Sequence, residues 1–234
     1  MFNYEQHLTV EEKAQEQATF ISKVYAWMSA ALLVTGITAM LTAMNKELML
    51  GIYSNIMVFY VLIFAQIGLV WYLSARIQSM SSQTATYLFF AYSVLNGLTL
   101  ASIFIVYEMG TIATTFFITA GTFTAMSAYG YYTKKDLTSV GKIAMMALIG
   151  IIIASVVNIF MEAEMLEAII NYAGVLIFVA LTAYDTQKIK EMSAGEAGSE
   201  SFKKLSIMGA LTLYLDFINL FLFLLRIVGG RSDD

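Results

Sequence analysis

Asp216 stands about halfway along the apolar run LTLYLDFINLFLFLL. A carboxylate at the centre of a membrane helix costs about 2.5–3.5 kcal/mol, so it needs a partner, a water-filled cavity or a neutralising proton. Thr212 lies four residues before it and Asn219 three after, and Gly209, Thr212, Asp216 and Asn219 keep a spacing that puts them on one helical face. Such a small, polar stripe is expected to face the protein interior. Hydrogen bonds that glue helices together account for Thr212 and Asn219, whereas Asp216 points to function. A second carboxylate, Asp185, ends another apolar run in VALTAYDTQKIK, where its plainer reading is a boundary charge. The short connection between the runs returns the last one antiparallel beside its predecessor. The two aspartates then meet only if helix ends bend or the last span starts later. In a dry site they would share a proton and titrate as a coupled pair, a proton-sensitive latch.

Other polar groups read more plainly. Arg76 closes an apolar run after VWYLSA, and taken alone it is a snorkelling anchor. Gln66, Asn96, Asn158 and Asn171 lie inside apolar runs and are expected to be hydrogen-bond partners between helices rather than ligands. Gly121 with Ala125, and Ala120 with Thr124 and Ala128, form rows of small residues that predict a close helix approach.

The elements that must carry these residues are membrane helices. Of 234 residues, 59% are hydrophobic and 13% charged, against roughly 45–50% and about 25% in a soluble domain; the mean hydropathy is +0.73. A spanning helix needs about 20 mainly apolar residues, and seven stretches qualify, at about 21–44, 52–75, 86–107, 109–132, 143–161, 167–184 and 205–228. The chain therefore reads as an all-α membrane protein, with a polar leader over 1–20 and one seven-span domain over 21–230. Proline is absent, so no span should carry a proline kink. The segment 186–204 reads as the longest polar loop, with Gly195 and Gly198 inside it.

Composition also excludes. There is no cysteine, and the one histidine, His7, sits in the leader. Thiolate metal sites and histidine-dependent catalysis in the apolar body are therefore out, and no enzyme activity and no cofactor are expected. The net charge of −4 has basic residues scattered among acidic ones, so nucleic acid is not an expected partner. Orientation follows from Lys and Arg, which are retained on the cytoplasmic side. With the N-terminus inside, that side holds ten of them (Lys13, Lys23, Arg76, Lys134, Lys135, Lys142, Lys188, Lys190, Lys203 and Lys204), and the outer side holds Lys46, Arg226 and Arg231. The expected topology is N-terminus cytoplasmic and C-terminus outside. Glu108, Glu162, Glu164 and Glu167 then form an acidic outer rim that a cation would meet first, or else ordinary solvated loops.

TAYDTQKIK after the sixth span, paired with LTLYLDFINLFLFLLR in the seventh, resembles the Bax inhibitor motif family. The likeness covers nearly the whole chain, and YAWMSAALLVTG, NGLTLASIFIVY, SAYGYYTKKDLT and ALIGIIIASVVNIF resemble its bacterial branch. The resemblance implies a seventh helix enclosed by the other six, a pH-sensitive calcium leak, and a bacterial inner-membrane location. Its paired aspartates correspond to Asp185 and Asp216, and Arg76 lies where relatives carry an arginine that latches the pair. Relatives can carry a glutamate at the position of Gln66.

Several functions compete. A cation leak channel fits the buried carboxylate stripe, since calcium takes oxygen ligands and Asp216 and Asn219 supply them. No calcium-binding loop motif is present, so a site at Asp216 would be weak and transient, with calcium as cargo and lipid as the surrounding partner. An intramembrane aspartyl protease fails because no Gly-x-Gly precedes Asp216 and no proline exists for its Pro-Ala-Leu element. A retinal protein fails because the last span holds no lysine for a Schiff base. The alternative left open is a regulator that binds another membrane protein, such as a membrane-bound AAA protease, through the polar leader.

Overall fold

A computed structural model of the chain describes residues 10–192 and 197–230. His7, Gly195 and Arg231, the first part of the leader, and the side chain of Lys13 lie outside the described residues. Where described, the chain is helical and holds no strand: α1 (Val10–Met44), α2 (Lys46–Tyr53), α3 (Ile56–Arg76), α4 (Ser82–Leu100), α5 (Ile103–Val106), α6 (Met109–Tyr132), α7 (Thr138–Met161), α8 (Glu164–Glu191) and α9 (Glu200–Gly229). Hydrocarbon offers no hydrogen bonds, so a spanning backbone must satisfy its own, and a helix does so within one segment. Seven segments are long and apolar enough to cross a membrane: Ala14–Met44, Ile56–Arg76, Ser82–Val106, Met109–Tyr132, Thr138–Met161, Glu164–Glu191 and Glu200–Gly229. At about 1.5 Å per residue, α2 is too short to join them.

Side chains punctuate the helices. Asn45, Asn55 and Ser81 accept hydrogen bonds from the N–H groups of Leu48, Met57 and Thr84, closing the starts of α2, α3 and α4. The third span breaks at Ala101 and Ser102 without any proline. Tyr53 Oη donates to the freed carbonyls of Leu98 at 2.6 Å and Thr99 at 3.0 Å, and Ser102 Oγ donates to Thr99 at 3.0 Å.

Internal contacts group the chain into two compact units, Met1–Val106 with Glu191–Tyr214, and Tyr107–Lys190 with Leu215–Asp234. In the first, α1 packs on α4, and α4 on α3. The α1–α4 approach requires Gly97, where a Cβ would lie 2.7 Å from the Thr35 carbonyl oxygen and 2.6 Å from Thr38 Cβ. Beside that crossing, Thr35 Oγ1 donates to the Ser93 carbonyl at 2.9 Å and meets the fully buried Tyr214 hydroxyl at 2.7 Å. Phe89 and Tyr92 set their rings edge-on against Tyr214 at 5.8 and 5.7 Å.

In the second unit, Phe217 of α9 packs edge-on between Phe116 at 5.6 Å and Phe123 at 5.4 Å, both on α6. Phe223 stacks with Phe178 of α8 at 5.9 Å and lies over Gly174. The small-residue rows of the fourth span are not its packing face. Gly121, Thr124, Ala125 and Ala128 are exposed, and nothing lies within 4 Å of a Cβ at Gly121. The buried face of α6 is Ile112, Thr115, Thr119, Phe123, Ser127 and Gly130, where Phe123 meets Phe217 and Ser127 meets Thr186.

Gly97 and Gly121 are therefore opposite cases. Gly97→Ala should destabilise the protein by about 1–3 kcal/mol through overpacking, whereas Gly121→Ala should be neutral or slightly stabilising, because alanine is the better helix former. Thermal unfolding in detergent checks this, and equal midpoints for the two variants would contradict it.

Candidate functional site

Asp185 is not at a helix end. The last apolar residues before it suggest a terminus, but α8 continues through Thr186, Gln187 and Ile189, all buried, to Glu191. Asp185 thus lies about 9 Å inside the end of α8, while Asp216 lies about 24 Å from the start of α9. The two carboxyls meet although α9 begins at Glu200, earlier than the sequence suggests. A side-chain hydrogen bond joins them. Two ionised carboxylates have only acceptors, so this bond forms only while the pair holds a proton. Asp185 is half-buried and Asp216 is 5% exposed. Asp216 Oδ2 accepts no hydrogen bond from an N–H or hydroxyl among the described residues. Lys188, one turn along α8, is the cation whose charge Asp185 feels.

The residues flanking Asp185 are fixed to neighbouring elements. Gln187 accepts from the Leu137 N–H and donates to the Lys135 carbonyl, both at 2.8 Å, pinning the 133–137 connection to α8. In that connection Asp136 accepts from the Thr138 N–H at 2.8 Å, and the Thr138 hydroxyl and N–H hold its carboxyl below the ordinary value. Thr186 Oγ1 reaches Ser127 Oγ at 3.4 Å. Lys190 Nζ donates to the Tyr131 carbonyl at 2.7 Å and lies over the Tyr131 ring. Gly130 admits the Ala183 carbonyl and Gly141 the Tyr184 ring, each where a Cβ would collide.

The remaining expected residues are distributed. Thr212 Oγ1 donates to the Met208 carbonyl at 3.1 Å and Asn219 Nδ2 to the Leu215 carbonyl at 2.8 Å, so both bond back along their own helix. Gly209 is buried. Gly209 and Thr212 belong to the first unit, Asp216 and Asn219 to the second. Arg76 is exposed at the end of α3 in the first unit. Gln66 does bridge helices, donating to Thr99 Oγ1 at 3.3 Å. Asn96 donates within α4 to the Tyr92 hydroxyl, and Asn158 accepts from the Ala163 N–H beyond α7. Asn171 leaves its Oδ1 without a partner. Among the described residues no cluster of three or more Asp, Glu, His or Cys exists to hold a metal.

Sequence reading missed Gln187, Gly130, Gly141 and Tyr214. Gln187 sits among lysines and looks like a loop residue; its one signal is its place two residues after Asp185. Tyr214 is hidden because a tyrosine in an apolar run is indistinguishable from a lipid-facing one until its hydroxyl partner is known.

Comparison with known proteins adds lineage. Residues 17–233 match the family described as inhibitor of apoptosis-promoting Bax1. The inner membrane protein YbhL of Escherichia coli K12 is 51% identical over 215 residues, covering 91% of this chain and 92% of that protein. An uncharacterised protein of Borreliella burgdorferi is 47% identical, covering 92% and 93%. An uncharacterised membrane protein of Streptococcus pyogenes is 34% identical over the same shares.

The pinning of α8 is testable. Gln187→Leu leaves the Leu137 N–H and the Lys135 carbonyl without their partner, at about 1–3 kcal/mol for a buried unpaired group. Its unfolding midpoint in detergent should fall, with Gln187→Glu, which keeps the acceptor, falling less. An unchanged midpoint for Gln187→Leu would show that the connection is held by other contacts.

Proposed function

This chain belongs to the family of the inhibitor of apoptosis-promoting Bax1, and from that membership we propose that it is a pH-sensitive calcium leak of the bacterial inner membrane, gated by Asp185 and Asp216. The observation that carries this reading is the carboxyl–carboxyl hydrogen bond inside two apolar helices. A shared proton ties α8 to α9 through a charge-assisted bond. Loss of that proton replaces attraction by repulsion between two buried anions, which a cation can offset. Calcium favours hard oxygen ligands, and the ionised pair offers them transiently. Proton and calcium therefore compete for the same oxygens, which couples flux to pH whichever helix packing the bonded pair favours.

The inner-membrane location is taken from the Escherichia coli relative, an inner membrane protein, and the orientation from the lysine and arginine distribution, with the N-terminus inside. A chain without cysteine makes the orientation easy to examine. Lys46→Cys should react with an impermeant thiol reagent applied outside intact cells, and Lys135→Cys should not. The reverse pattern would invert the topology.

The gating itself is tested by calcium flux in proteoliposomes across pH. The unaltered protein should show a pH-dependent rate, and Asp185→Asn and Asp216→Asn should each lose that dependence whatever their absolute rate, because an amide carries no titrating proton. Both variants keeping the original profile would place the gate elsewhere. No flux at any pH from the unaltered protein would end the leak reading in favour of a regulator that binds another membrane protein.

A further inference from the structure

Three buried side-chain oxygens lack a hydrogen-bond partner among the described residues: Thr115 Oγ1 on α6, Asn171 Oδ1 on α8 and Asp216 Oδ2 on α9. All three belong to the second unit. Thr115 is 0% exposed, Asp216 5% and Asn171 6%. An orphaned acceptor in a membrane interior costs several kcal/mol, and this chain avoids it elsewhere in a uniform way. Thr119, Ser155, Thr182, Ser206, Thr212 and Asn219 each donate to the carbonyl four residues back on their own helix. Thr115 sits in a helix that offers the same solution and does not use it.

Their depths are ordered. The ring contacts of Phe116 with Phe217 and Phe221 and of Phe123 with Phe217 run α6 antiparallel to α9, and the contacts of Phe178 with Phe223 and of Asp185 with Asp216 do the same for α8. Thr115 and Asn171 lie about two turns from the starts of their helices, α6 and α8, so they stand toward one end of the unit. Asp216 lies deeper, with Asn219 one turn from it on the way. The opposite end of the unit is closed. There Ser127 meets Thr186, Gln187 takes both the Leu137 N–H and the Lys135 carbonyl, and glycines 130 and 141 admit backbone and ring without a gap.

We propose that the aspartate pair is reached from one side only, through a file of internal water seated on Thr115 and Asn171 between α6, α8 and α9. Water is the ligand because each seat is a single neutral amide or hydroxyl oxygen, to which water donates, and among the described residues no cluster of carboxylates stands there to balance a cation's charge. The inference rests on the reading of Asp185 and Asp216 as the functional centre, and on the N-inside orientation it places the open side outside the cell. It identifies Thr115 and Asn171 as the outer approach to the gate and the Gln187 connection as its inner closure.

Silver ion, comparable in size to a water molecule and reactive with thiols, is the probe. In the cysteine-free chain, Thr115→Cys and Asn171→Cys should lose their free thiol to silver applied at the face from which Lys46→Cys also reacts. Ser127→Cys and Thr186→Cys should keep theirs from either face, and all of them should react after denaturation. Thiols at 115 and 171 that react only after denaturation, or only from the opposite face, would overturn the proposal. Reactive thiols at 115 and 171 in a protein whose flux shows no pH dependence would instead leave the water file standing and end the gating reading.

Discussion

The structure of the second unit turns on one hydrogen bond that exists only with a proton in it. In water, two carboxyls gain little by sharing a proton, since each is well solvated either way. Inside a pair of membrane helices far less solvent competes, and a lone aspartate costs about 2.5–3.5 kcal/mol for its position. The Asp185–Asp216 bond answers that cost by satisfying two polar groups at once. Both carboxyls stand inside their helices, Asp185 six residues before the end of α8 and Asp216 sixteen after the start of α9.

The support on the two sides of the bond is unequal. On α8, the residues before and after Asp185 are held by backbone contact, ring contact and amide hydrogen bonds through Ala183, Tyr184, Thr186 and Gln187. On α9, the neighbour of Asp216 is Phe217, which meets Phe116 and Phe123 through ring edges. Ring contacts of that kind are shallow in angle and tolerate sliding better than an amide locked to two backbone groups.

The seven spans were legible because hydropathy over about 20 residues reports a backbone that must satisfy itself. Asp216 was legible for the converse reason, as a charge where none is cheap. The pairing was legible only as a condition, because hydropathy marks where apolar residues stop and not where a helix stops. Thr186, Gln187, Lys188 and Lys190 read as the start of a polar loop, yet they are helical because the 133–137 connection and the Tyr131 carbonyl supply partners that lie far away in sequence. The same limit hid the packing face of α6. Small residues at regular spacing predict close approach, but which of several stripes faces protein is decided by ring contacts of Phe116 and Phe123 that no local pattern records.

Under the proposed function the Asp185–Asp216 bond is a latch, and it has to be weak enough to open. A hydrogen bond to a charged partner contributes about 1.5–3 kcal/mol, which alone would shift a two-state equilibrium by about one to two powers of ten. That is enough for a switch and too little to hold a fold, so the fold must be held elsewhere. The second unit does this with the stacked Phe178 and Phe223 and with the glycine contacts at 130, 141 and 174, none of which involves a carboxyl. Stability and proton sensitivity are thereby carried by different side chains. Under the proposed function, that separation lets the pair lose its proton without unfolding the helices that present it.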